Sequence, residues 1–177
     1  MTAFAIAIGE GFCGDGANAA HINTVLGLRD GPVGTAFATA LAQPTPGHVP
    51  FLAVWAPNVP VEPPTLFVNK ATIAGDRHGT LTWGAAQAGV AAGVTKHVTD
   101  RFTRVELARL ALIVAVWVNP DANDDDLVYR NNRAATLDAL DRGYAASGSV
   151  GSVSTTAIAE LAAGRAPQNP YFTPRGS

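Results

Sequence analysis

Cys13 is the only cysteine in this chain of 177 residues. That excludes an internal disulfide and any zinc or iron–sulfur centre built from several thiolates. Charge is sparse as well: 15% of residues are Asp, Glu, Lys or Arg, the net charge is −2 and the pI is near 6.0. With no basic stripe to neutralise phosphates, a nucleic-acid partner is excluded. The longest apolar run, Leu110 to Val118, falls far short of the roughly 20 residues a membrane-spanning helix needs. Met1 to Ile8 has no basic residue and no apolar stretch of signal-peptide length, so a soluble, cytoplasmic protein is expected. Internal repeats and low-complexity blocks are missing too. One domain over residues 1–177 is therefore expected, with 147–177 as a C-terminal extension.

Several motifs are also lacking. His48, His78 and His97 show no HxH, HExxH or carboxylate spacing for a metal. No GxSxG and no GxxxxGK[ST] occur. Gly9-Glu10-Gly11-Phe12-Cys13-Gly14 does match GxGxxG, but a dinucleotide site needs a helix opening at the third glycine. Here a turn and a strand follow, so the segment reads as a glycine-rich loop.

The chain is 47% apolar, enough for a heavily buried core, and its few charges hint that copies of the chain cover one another. Phe4 to Ile8 reads as a first strand, and a glycine-rich turn to Ala19 leads into a second strand ending at Gly27. Asp30-Gly31-Pro32 predicts a helix start capped by Asp30, with Val33, Phe37 and Leu41 on one face. Pro50–Ala56 and Leu66–Ile73 are expected strands, and Pro57–Pro64 a turn. A helix is expected from Thr82 or Trp83 with Val90, Val94 and Val98 buried. Leu110–Val118 reads as a central strand and Asp124 to Tyr144 as a helix whose acidic start suits the dipole. A joint at Gly148–Gly151, a short helix over Thr156–Ala163 and an aromatic tail, Asn169–Phe172, complete the chain. The order β-β-α-β-β-α-β-α predicts an α+β fold, a layered sheet with helices.

Two strands carry polar side chains among apolar ones. Alternation sets His21, Asn23 and Val25 on one face, and Lys70 and Thr72 likewise share a face. Polar groups in such surroundings must find partners or do chemical work. His21 is the natural proton carrier near neutral pH, although a lone histidine is more often a satisfied structural residue. Lys70 in its bland reading is an edge lysine with its stem laid flat and its head in water. Glu10 and Asp15 read as turn carboxylates, and Asp76-Arg77-His78 as a solvated loop.

GDGxxxAHI at 14–22, APNxP at 56–60, TLxxNKxTI at 65–73 and WGxAQxGVA at 83–91, in that order, resemble the formaldehyde-activating enzyme family. The likeness runs from Gly9 to Val98 and thins through Leu112–Ala139. It implies a ribosomal protein S5 domain 2-like fold assembled as a pentamer, with a cleft between subunits. The implied activity is that of a hydro-lyase, a carbon–oxygen lyase condensing formaldehyde with tetrahydromethanopterin in one-carbon metabolism and formaldehyde detoxification. Tetrahydromethanopterin enters as co-substrate; the condensation changes no oxidation state, so no permanent redox cofactor and no metal are expected. The resemblance makes His21 the proton donor and Asn23, Leu52, Lys70, Thr72 and Gln87 substrate-binding positions. It also implies aspartate where this chain has Asn23, whose amide loses the charge and exchanges one acceptor for a donor. A Lys70 of depressed pKa is also able to take up formaldehyde as a Schiff base, a secondary reading here. Three alternatives remain open: a non-catalytic formaldehyde or pterin binder, the same chemistry on tetrahydrofolate or another amine, and a purely structural oligomer.

Overall fold

A computed structural model of the chain describes residues 6–147 and 152–167. The joint expected at Gly148–Gly151, the tail Asn169–Phe172 and the first residues of the expected opening strand lie outside them. Strand β1 (Ala7–Cys13) pairs antiparallel with β2 (Ala20–Leu28), setting Glu10 opposite Asn23 and Phe12 opposite His21. β2 pairs antiparallel with β7 (Leu110–Trp117), β7 parallel with β6 (Thr65–Asn69), and β6 antiparallel with β3 (Phe51–Leu52). The sheet order is therefore β1-β2-β7-β6-β3, and β4 (Val54–Ala56) with β5 (Val59–Pro60) forms a separate pair. This mixed sheet with helices is the expected α+β architecture.

Its two faces differ. Ile22 and Leu26, Phe67, and Leu112, Val114 and Val116 point to one side and are buried against α3 (Gln87–Thr99) and α5 (Asp125–Ser147). Val90, Val94 and Val98 form the α3 stripe as the spacing predicts. Burying each such Val or Leu contributes roughly 1.5–3 kcal/mol. The other side carries Glu10, Phe12, His21, Asn23, Val25, Ile113, Ala115 and Trp117, all only partly covered or exposed. Helix α1 (Pro32–Ala42) lies over one end of that side, with Val33 at Gly27. The other end is left open.

Several expectations are corrected. Gly9 to Cys13 is strand, not loop, because β1 runs against the backbone of α5. A Cβ on Gly9 would sit 2.6 Å from the Ala139 carbonyl carbon, and one on Gly11 3.0 Å from the Ala139 nitrogen. Only glycine lets strand and helix approach so closely. Gly31, not Asp30, caps α1, and of its expected face only Val33 is buried, Leu41 being exposed. Pro50–Ala56 splits into β3 and β4 around buried Ala53, with Leu52 46% and Trp55 60% exposed. The strand expected to reach Ile73 stops at Asn69, whose side-chain amide donates to the Gly47 and Ala71 carbonyls, 2.7 Å each, and turns the chain.

The helix expected from Thr82 begins earlier: α2 (Asp76–Thr80) continues through a π-helical stretch, Leu81–Ala86, into α3. His78 is consequently not solvated. It is buried, with Nδ1 accepting from the Ala74 N–H at 3.0 Å and Nε2 donating to the Val118 carbonyl at 3.0 Å. Helix α4 (Arg104–Leu107) was not expected, although Thr103-x-x-Glu106 is a capping-box signature and both of its bonds form. Asp124 caps α5 by accepting from the Leu127 N–H, 2.9 Å. A last helix, α6 (Ser152–Ala162), falls where one was expected but begins four residues before Thr156.

Candidate active site

His21 stands on the open face of β2, 21% exposed. Its ring stacks on Phe12 across the β1–β2 pair, centroids 3.9 Å apart. Its Nε2 donates to the Glu10 carboxylate at 2.7 Å. A carboxylate only accepts, so this bond fixes which nitrogen carries hydrogen there. Asn23, two residues on and therefore on the same face, donates its Nδ2 to the same Glu10 oxygen at 3.4 Å. These bonds, above all the one from His21, hold the Glu10 carboxyl below its ordinary range despite partial burial, with Lys70 adding a smaller attraction. Glu10 is thus an ionised member of the site and not a turn carboxylate. Its role depends on strand pairing, and the one sequence signal for it was its place beside Gly9 in the family-like segment.

Lys70 follows the last residue of β6, and its N–H extends the ladder to the Val116 carbonyl at 2.7 Å. From two strands away its Nζ donates to Asn23 Oδ1 at 2.7 Å. The β7 residue opposite Asn23 in the register is Ala115, so the intervening strand raises just a methyl group at that point. Lys70 is half-buried, and that desolvation lowers its pKa to about 8, against a smaller upward pull from Glu10. Glu10, His21, Asn23 and Lys70 therefore form one connected polar row on an otherwise apolar sheet face.

The remaining expected positions are not part of this hydrogen-bonded row. Thr72 donates its hydroxyl to His48 Nε2, 3.0 Å, while His48 Nδ1 donates to the Asn69 carbonyl, 2.9 Å. His48, which spacing left without a role, thereby clamps the segment that carries Lys70. Gln87 is buried at the start of α3, where its Oε1 accepts from the Val54 N–H at 2.9 Å and fastens β4. Leu52 sits on edge strand β3 with its side chain largely open. Among the described residues no hydrogen bond joins Leu52, Thr72 or Gln87 to the His21 row.

A cleft lined by Leu28, Arg101, Phe102, Arg109 and Tyr144 opens at the far end of β2 and β7, away from this chemistry. Among the described residues no group of three or more His, Cys, Asp and Glu is arranged to hold a metal ion. Nor is any described helix long and apolar enough to cross a membrane.

A histidine, the carboxylate it donates to and a half-buried lysine meet on an open sheet face, an arrangement able to exchange protons. The family model described as formaldehyde-activating enzyme matches residues 8–161, and the chain belongs to that family. It is 43% identical over 136 residues to the 5,6,7,8-tetrahydromethanopterin hydro-lyase of Methanosarcina barkeri, covering 76% of both chains. It is 38% identical over 136 residues to the bifunctional enzyme Fae/Hps of Methanosphaerula palustris and 40% identical over 136 residues to that of Methanothrix thermoacetophila. In each of these two pairs 76% of this chain is matched, and the match spans 35% of the bifunctional protein's length.

Proposed function

We propose that the chain is a hydro-lyase that condenses formaldehyde with tetrahydromethanopterin, giving methylene-tetrahydromethanopterin and water. The observation that carries this reading is the bond from His21 to Glu10 on the open face, within a chain of this family. The condensation also proceeds uncatalysed, so the protein's task is proximity and a well-placed proton. An amine of the pterin adds to the carbonyl carbon, and its proton passes to the oxygen. The resulting carbinol must lose hydroxide, and protonated His21 delivers the proton that lets it leave as water. Glu10, held ionised, stabilises the imidazolium before the transfer. The second amine then closes on the iminium carbon.

By resemblance Lys70, Thr72 and Gln87 hold the pterin, Leu52 packs on its ring, and Asn23 stands where a carboxylate would face the iminium charge. By resemblance the cleft lies between subunits of a pentamer, so that a second copy completes it; in this subunit the register sets Leu52 on the open face and Gln87 is buried against β4. An engineered monomer that keeps full activity would overturn that part. The same reading carries an S5 domain 2-like subunit forming one domain, a cytoplasmic setting, and a role in one-carbon metabolism and formaldehyde detoxification.

The test is the rate of methylene-pterin formation with the native chain, with His21→Ala and without protein. Acceleration by the native chain that vanishes in His21→Ala supports the lyase and its proton donor together. The neutral Asn23 favours one other reading, a formaldehyde or pterin binder that has lost its chemistry. A native rate equal to the protein-free control, with pterin still bound, would establish that reading instead.

A further inference from the structure

We infer that Lys70 Nζ captures the aldehyde ahead of the pterin amine, so that the amine adds to a lysine-bound carbon and not, as in the simple condensation above, to free formaldehyde. The inference rests on the lyase reading for the identity of the aldehyde, and on the following geometry for the bond.

The chain has two lysines, Lys70 and Lys96, and their settings are opposite. Lys96 is exposed and its Nζ pairs with Asp100 at 3.0 Å, which favours the ammonium. Lys70 is partly covered and its Nζ donates to the neutral amide of Asn23. Among the described residues no carboxylate forms an ion pair with Lys70. The one carboxylate of the row, Glu10, already accepts from both His21 and Asn23. An amide oxygen accepts from either form of the amine, so this contact leaves the neutral amine a hydrogen bond while supplying no charge to hold its proton. Partial burial adds to the same preference: with a pKa of about 8, roughly a tenth of Lys70 is unprotonated near neutral pH, against well under a thousandth of an ordinary lysine.

The chemistry balances on groups of this row. The Nζ lone pair attacks the formaldehyde carbon, the carbonyl pair moves to oxygen, and a proton passes from nitrogen to oxygen to give the carbinolamine. Protonated His21 then gives its proton to the hydroxyl, the C–O bond breaks, water leaves, and the nitrogen lone pair forms the iminium. The acceptor amine adds to that carbon and passes its proton to the Lys70 nitrogen; the C–N bond to Lys70 breaks, Lys70 departs as the free amine, and the acceptor nitrogen's lone pair forms the new iminium, on which the second amine closes. No oxidant or metal enters. Asn23 is a positioning residue that keeps Nζ beside His21 through the shared Glu10 oxygen.

The experiment uses the intact protein, formaldehyde and cyanoborohydride, which reduces an iminium to a stable N-methyl group, followed by peptide mapping. Near pH 7, Lys70 is expected to be methylated at least about tenfold faster than Lys96 in the same molecule. Asn23→Asp, which sets a carboxylate on Nζ, is expected to slow Lys70 trapping at least about threefold while leaving Lys96 unchanged. Lys70→Arg keeps the cation but forms no imine, and is expected to lower kcat at least about a hundredfold. Equal trapping of the two lysines, or a Lys70→Arg protein with the native kcat, would overturn the inference. Trapping needs no variant, so a misfolded substitution leaves the first comparison intact. Rapid trapping by a chain that forms no methylene-pterin upholds the capture and removes the lyase reading; rapid condensation with slow trapping does the reverse.

Discussion

Replacing Gly9 by alanine tests whether the glycines of β1 are there for packing. The added Cβ would lie 2.6 Å from the Ala139 carbonyl carbon, and ordinary contact begins at 3.4 Å. The Ala139 carbonyl oxygen lies closer still, so helix α5 must withdraw by more than about 0.8 Å or the strand must bend away. A gap of that size forfeits roughly a quarter to a half of the dispersion well for atoms facing it. Ala135 and Ala139, both fully buried, are the residues that lose those contacts. Overpacking of this kind costs about 1–3 kcal/mol, and the upper end applies because the obstructing atoms are helix backbone and not a side-chain tip. For a chain of this size each kcal/mol lowers Tm by roughly 2–4 °C, so the expected loss is about 6–12 °C. Glu10 adjoins the altered residue, so β1 cannot shift without disturbing the bond to His21, and activity should fall as well. Urea unfolding followed by tryptophan fluorescence at fixed protein concentration measures the stability term. Gly84→Ala is the comparison: nothing lies within 4 Å of its added methyl group, and a helical alanine should be neutral or stabilising by up to about 1 kcal/mol. A Gly9→Ala protein within about 0.5 kcal/mol of the native one, or equal losses at both positions, would refute the close-approach argument.

Two more outcomes follow from the charged groups. His97 is fully buried, its Nδ1 donates to Asp141 at 2.7 Å, and its Nε2 has no hydrogen-bond partner among the described residues. Burial lowers its pKa below the ordinary 6.5, partly offset by the bond to Asp141, while Arg101 adds to the lowering. The unfolded chain therefore binds the proton more readily. The associated stability is intact above about pH 6.5 and declines as pH falls through the folded pKa, at no more than about 1.4 kcal/mol per unit. Unfolding midpoints between pH 7 and 5 should show this decline, and His97→Gln should flatten it; an unchanged slope would exclude His97 as its source. Glu10→Gln keeps an acceptor for His21 but removes the charge that raises the Lys70 pKa. Lys70 should then titrate below about 8, read from its 13Cε shift, and methylene-pterin formation should slow at least about tenfold. A Lys70 midpoint that stays put or rises would show that Glu10 does not act on it.

The elements that were legible in the sequence are those whose signal is local. Alternation set His21 and Asn23 on one face of a strand, helical spacing found Val90, Val94 and Val98, and an unbroken apolar run marked β7. Four ordered motifs were enough to indicate the family. Each depends on residues a few positions apart, where period 2 or 3.6 decides which way a side chain points. The misreadings share the opposite cause. Gly9 and Gly11 have the composition of a loop and became strand because α5, about 130 residues later, lies against them. His78 reads as part of a solvated loop and is buried because the helix that the local pattern began too late starts at Asp76.

The sequence by itself set His21 and Asn23 on one side of β2 and marked Lys70 as a polar residue among apolar ones. Only the tertiary structure decided that Glu10 meets His21, since that depends on the register of two strands, and that Lys70 reaches Asn23, since that depends on β7 lying between β2 and β6. Register and strand order are set by the packing of the whole core, where a slip of one residue would turn every side chain to the opposite face. No window of neighbouring residues contains that information.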